Sequence, residues 1–289
     1  MSDQVLSGPG GAIHDIGYQR YTGPRLGRSY ARRSLFVHSL RTAFGLGRTG
    51  RAKFFPWAAV GVMVLFAVII DAIRSRTNVM VVGYVTFPYS VELVIVLFLA
   101  SAAPELVSRD LRGKVLPLYF ARPLSRGDYV IAKLAGMAVA LWLIIAVPLV
   151  VIFLGGAFSL PGDQIWGEFT DFAAGLAAAA IIAVTYATIG LLIGSLIMRR
   201  MVAGASIALV FLVTAAFGGA VNAIVGGTHG DKISALFGPV WLTQSVNNWM
   251  LRSDSQGFGS YGWAYLVVLI VLVAICGVAM LTRYRRQSA

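Results

Sequence analysis

Acidic residues are scarce in this sequence: 12 Asp and Glu stand among 289 residues, against 24 Lys and Arg. Charged residues of both signs make up only 12%, about half the quarter usual in soluble domains. A soluble fold of this size would lack polar surface. Cysteine occurs once, at Cys276, so no intrachain disulfide and no cysteine metal site can form. His14, His38 and His229 are too far apart for ligand spacing. No acid–base pair or nucleophile constellation suggests an enzyme. The first fifty or so residues are polar and hold no apolar signal-peptide core. GLGRTG, Gly45 to Gly50, matches a glycine-rich phosphate loop in spelling only. Such a loop needs a strand before it and a soluble helix after it. This one precedes an apolar run and reads as a hinge.

Hydrophobic residues are plentiful, at 58%, with a mean hydropathy of +0.78. The runs are continuous and rich in Ala and Leu, which argues for spanning helices rather than alternating barrel strands. The fold class is all-α integral membrane protein. A spanning helix needs about 20 mostly apolar residues, and six runs qualify: 55–73, 85–106, 131–153, 172–198, 201–225 and 263–281. The net charge of +12 would suggest nucleic acid in a soluble protein. Here its placement explains it without nucleic acid. Nine Lys and Arg precede the first run, through Lys53. Six lie between runs two and three, counted through Lys133. Arg199 and Arg200 separate runs four and five, and Arg283, Arg285 and Arg286 end the chain. The opposite side keeps only Arg74, Arg76, Lys232 and Arg252. This bias places both termini in the cytoplasm of a multi-pass plasma-membrane protein.

The remaining segments sort by pattern. Residues 1–27 form a Gly-, Arg- and Tyr-rich cytoplasmic segment. Residues 28–53 hold a helix and the hinge. In it Phe36, Leu40 and Phe44 share one face, and Arg41 lies off it; the segment is expected as an interfacial amphipathic helix on membrane lipid. Residues 54–282 form the six-helix domain, and 283–289 a cytoplasmic tail. Pro239 opens an apolar, Trp-bearing stretch before the last run, expected as a short helix in the outer leaflet. Glu92 is the one carboxylate well inside a run. It is a candidate pathway or gate residue, or else a hydrated glutamate paired with Arg74 or Arg76. Gly190 and Gly194 form a GxxxG pair, whose ordinary role is close helix packing.

One charged, proline-punctuated insert stands apart: APELVSRDLRGKVLPLYFARPLSRGDYVIAK, 103–133. Pro117 and Pro123 would interrupt a long helix, and Ser125 or Asp128 could cap the helix that follows. A solvated positive loop explains its charge but not its Leu-Pro-Leu-Tyr-Phe core. In order it carries Asp110, Gly113, Leu116, Leu118, Pro123, Ser125, Arg126 and Lys133. That order resembles the cytoplasmic signature of ABC-2 type transporter permeases. Asp stands for the usual Glu and Lys114 for the usual Thr. The resemblance implies a permease subunit that pairs with a second permease, as homodimer or heterodimer. It implies a coupling helix between spans two and three that docks on a separate ABC ATPase. Arg109, Asp110, Leu111, Arg112, Gly113, Lys114 and Val115 would form that contact. ATP and magnesium would be bound by the ATPase, and this chain would hold no cofactor. Export of a hydrophobic or amphiphilic cargo such as a drug, antibiotic or lipid is the expected activity. Two other classes stay open from the residues alone. One is an ATP-independent secondary transporter or channel, which would rely on Glu92. The other is a non-transporting membrane anchor.

Overall fold

A computed structural model describes residues 23, 26–47, 50–77, 79–113, 124–159, 164–251 and 262–286. Within them the regular structure is helical, with no strand. The helices are α1 (Arg28–Ala43), α2 (Gly50–Thr77), α3 (Phe87–Ser90), α4 (Glu92–Arg112) and α5 (Arg126–Ser159). They continue as α6 (Ile165–Leu196), α7 (Arg200–Val225), α8 (Gly227–Ser234), α9 (Pro239–Leu251) and α10 (Gly262–Arg286). Five of the described helices, α2, α5, α6, α7 and α10, are long and apolar enough to cross a membrane. They correspond to five of the six expected runs.

The expected span at 85–106 takes a different form. Pro88 sits in the first turn of α3, and the backbone leaves helical geometry at Val91 (φ −112°, ψ 19°). The chain restarts as α4 at Glu92. Its apolar stretch then reaches only Ala103 before Pro104 and Glu105. Composition alone does not qualify α4 as a span. Its 21 residues nevertheless measure about 32 Å at 1.5 Å per residue. The physical reason lies in packing. Ile95, Val96, Phe98, Leu99, Ala102, Ala103, Leu106 and Val107 are all buried, because α1, α2, α5, α6 and α7 surround α4. A helix wrapped by other helices need not present an apolar face to lipid all round.

Glycines let α4 fit so closely. A Cβ at Gly204 of α7 would stand 2.7 Å from the Ala100 carbonyl, and one at Gly190 of α6 would stand 2.6 Å from the Leu99 side chain. The GxxxG spacing therefore serves helix packing in this chain. The hinge uses glycine differently: Gly45 (φ 67°) and Gly47 (φ 82°) are left-handed and turn the chain from α1 into α2.

Helix α1 lies along α5 and α4. It buries Leu35, Ser39 and Ala43, while Phe36, Leu40 and Phe44 pack partly against the same core. The face expected to meet lipid is thus shared with the protein. Helix α9 starts at Pro239 as its sequence suggests. Trp241 crosses to α7 and donates from Nε1 to the Ala215 carbonyl at 2.9 Å.

Candidate functional site: a braced loop at one end of the bundle

The bundle has two polar ends. The near end gathers the start of α1, the end of α4, the start of α5, the α6–α7 turn and the end of α10. The far end holds the end of α2, the start of α3, the end of α5, the start of α6, and α8 and α9.

At the near end, α5 opens on a reciprocal cap. The Ser125 amide and hydroxyl both donate to Asp128 Oδ2, at 3.0 and 2.8 Å, and the Asp128 amide donates back to Ser125 Oγ at 3.2 Å. This is the capping box with Asp in its acidic position. Arg28 of α1 donates to the same carboxylate at 2.6 Å and to Ser125 Oγ at 3.0 Å. Its hydrogen bond to Asp128, then the charge of that carboxylate, push the guanidinium pKa up. Arg32 approaches the other Asp128 oxygen at 3.8 Å.

One turn further, Lys133 ties α5 to the end of α4. Its Nζ is 2.8 Å from Asp110 Oδ2 and donates to the Leu106 carbonyl at 2.8 Å. Tyr129 donates its hydroxyl to the same Asp110 oxygen at 2.8 Å. Lys133 is 2% exposed. Its carbonyl contact satisfies one of the acceptors that the end of a helix leaves without a partner. Tyr129 packs edge-on against Tyr284 of α10, 5.3 Å between centroids.

The structure therefore bonds Asp110 to Lys133 and places Ser125 in a second cluster at the start of the same helix, α5. The Asp110 contacts with Lys133 and Tyr129 hold the end of α4 to the start of α5. Asp110 is turned inward rather than left as a free contact charge. Arg126 and Gly113 are exposed. Leu111, Arg112 and Arg109 lie in the last turn of α4, while their side chains lie outside the described residues. Lys114, Val115 and Pro123 fall outside them altogether. Arg28, Glu105 and Ser108 were not singled out from sequence. The Ser-x-x-Asp spacing was the visible signal for the cap. Nothing local marks Arg28, whose partner is 100 residues away.

The end of α4 is held on a second side. Ser108 donates to the Gly194 and Ile197 carbonyls at 2.7 and 3.0 Å, and Arg200 forms an ion pair with buried Glu105. The α6–α7 turn is thus fastened to α4.

At the far end, Arg74 of α2 makes a two-pronged contact with Glu168 of α6, at 2.6 and 2.8 Å. Tyr84 donates its hydroxyl to the same carboxylate. Burial, and then that hydrogen bond, push the Tyr84 hydroxyl pKa well up. Gly156 of α5 makes room: a Cβ there would stand 2.6 Å from the Arg74 guanidinium. Arg74 therefore serves Glu168, and Glu92 finds a different partner. Half-buried Glu92 accepts from the Tyr186 hydroxyl at 2.7 Å. Beside it, Asn247 of α9 donates to the Tyr89 hydroxyl at 2.7 Å. Among the described residues, no three His, Cys, Asp or Glu side chains converge to hold a metal.

A helical bundle with a braced end does not by itself name a transporter. Comparison with protein families does: residues 31–289 match the ABC-2 family transporter protein model. The chain belongs to the ABC-2 transporter family. No curated protein matches it. Members of the ABC-2 family are permeases of ABC transporters, membrane components that lack an ATPase domain of their own and normally work with an ABC ATPase. The family match covers every described helix except the first turn of α1. Of the residues that resemble the family signature, Asp110, Ser125 and Lys133 take part in the near-end brace.

Proposed function

We propose that this chain is the permease of an ATP-driven exporter, and that residues 109–115 form the handle gripped by a separate ATPase. The near-end brace carries this reading. A loop that transmits force must be anchored at both ends, and the Asp110–Lys133 contact and the Ser125–Asp128–Arg28 cap supply those anchors. From the handle, a push enters α4. Because α4 is the central helix, the push reaches α6 through Ser108 and α7 through Glu105–Arg200. In this reading the near end is cytoplasmic.

A second permease subunit closes the pathway along α2, α4 and α7. Leu93 and Leu97 are exposed on α4, and the adjacent helices expose apolar residues such as Leu65 and Ile69 of α2 and Leu209 and Val213 of α7. A surface of this kind suits a hydrophobic or amphiphilic cargo moved by alternating access. Glu92, bonded to Tyr186 near the far end of α4, serves as the gate.

Reversing the handle's charge tests the proposal. The Arg109→Glu/Arg112→Glu chain is expected to insert and fold normally, yet to lose cargo-stimulated ATP hydrolysis when combined with its ATPase. Unchanged stimulation would place the contact elsewhere.

A further inference from the structure

The far-end cluster brings three charges together and leaves one contact unmade. Arg74 of α2 holds Glu168 of α6 with both prongs of its guanidinium, and Tyr84 donates to the same carboxylate. Asp71 stands three residues before Arg74 on α2. Residues at that spacing are neighbours on a helix surface, and the charge of Arg74 acts on Asp71. Asp71 Oδ1 is nevertheless buried without a hydrogen-bond partner, a state that costs free energy until a donor arrives. Two carboxylates thus stand within range of one guanidinium, and Glu168 has it.

The floor under the cluster is backbone. Asp71 and Arg74 rest on consecutive glycines of α5. A Cβ at Gly155 would overlap the Asp71 carboxyl group, and one at Gly156 would stand 2.6 Å from Arg74 Nη1 and 2.7 Å from Glu168 Oε1. Neither position puts a side chain in the way of the guanidinium. The body of α2 packs on α5 and α4. The Arg74–Glu168 contact reaches past α5 and ties the end of α2 to the start of α6.

We propose that Arg74 is a two-position latch. Glu168 is its partner while the end of α2 is held to α6, and Asp71 is its reserve partner when that end is released. Moving the guanidinium to Asp71 breaks the tie between α2 and α6 and strands no charge. Arg74 gains a second carboxylate, Asp71 Oδ1 gains the donor it lacks, and Glu168 keeps the Tyr84 hydroxyl. A stranded charge is what makes breaking a buried pair costly. The reserve partner therefore brings the held and released arrangements close in free energy, as a two-state element requires. Because α2 flanks the pathway, release of its end widens the far mouth. That role rests on the pathway proposed above; the exchange itself does not, and its test needs no ATPase.

The test uses the full-length chain alone. Spin labels at Ser75→Cys and Thr170→Cys, both exposed positions, report the distance between α2 and α6 in bilayer discs by double electron–electron resonance, in the Cys276→Ser background. The same variants are melted in detergent. Glu168→Gln is expected to move the distribution to a longer but still defined distance, with Arg74 seated on Asp71. Adding Asp71→Asn to it should broaden the distribution and lower the unfolding midpoint by a further 2–4 °C or about that. With Glu168 intact, Asp71→Asn should instead leave the midpoint unchanged or raise it, because it removes a buried carboxylate whose oxygen is unmet. This change of sign between the two backgrounds marks the reserve partner. If Glu168→Gln does not fold, Glu168→Asp, which keeps the charge and shortens the reach, takes its place with the same expectations. Equal effects of Asp71→Asn in the two backgrounds would overturn the latch. So would a weakened Glu168 contact that leaves the distance where it is in the native chain.

Discussion

Lys133 shows how much one side chain can determine here. It is buried, bonded to a carboxylate and to a helix-end carbonyl, and it joins two segments that the insert would otherwise separate. Replacing it with Met leaves Asp110 facing the interior without its cation, a change that costs about 3 kcal/mol for a buried pair. Lys133→Met is therefore expected to lower the thermal unfolding midpoint of the purified chain. Lys133→Met/Asp110→Asn should recover most of that stability and still fail to couple cargo to ATP hydrolysis. Recovery of both would make the pair a stabilising contact only. The Arg74–Glu168 contact makes a second case. Glu168→Gln leaves Arg74, which is 8% exposed, without its anion, and a loss of about 3 kcal/mol is expected. Arg74→Met/Glu168→Met should be close to neutral. A calorimetric or fluorescence melt in detergent checks both. Asp110, Ser125 and Lys133 were each legible in the sequence as parts of a family pattern. Their mutual bonding was not, because spacing along a chain does not reveal which charges a fold turns inward.

At the scale of the element, α4 is where sequence and structure part. Its residues read as one apolar run from Val85, but Pro88 and the turn at Val91 divide the run. What makes a helix central is the set of neighbours around it, and a hydropathy window cannot see those. The other five long helices were legible because their lipid-facing sides must be apolar whatever they pack against. The close contacts of α4 set the next predictions. Gly204→Leu forces α4 and α7 apart and should cost about 1–3 kcal/mol, read as a lower unfolding midpoint. Ser108→Ala removes the hydroxyl that meets the last carbonyls of α6 and should cost about 1 kcal/mol. A larger fall in coupling than in stability would mark Ser108 as part of the route between handle and pathway.

At the scale of the molecule, the proposed orientation, with the near end cytoplasmic, rests on charge placement along the sequence. The sequence puts twenty of its basic residues on one side, and the structure pairs four of them, Arg28, Arg32, Lys133 and Arg200, with Asp128, Asp110 and Glu105 at the near end. Cys276 is the single cysteine and is buried, so Cys276→Ser provides a clean background for labelling. In intact cells an impermeant thiol reagent should modify Thr170→Cys at the far end and spare Arg33→Cys at the near end. The reverse pattern would invert the protein and remove the handle from the cytoplasm.

The central claim is that a separate ATPase drives this chain through its braced loop. The direct measurement is gentle purification of the tagged chain from its native membrane, with assay of what accompanies it and of ATP hydrolysis. The account predicts that an ABC ATPase co-purifies in about equal amount with the chain, and that hydrolysis depends on it. A chain that purifies alone even after crosslinking, with no ATPase activity, would contradict the account and leave Glu92 and ATP-independent transport as the reading to pursue.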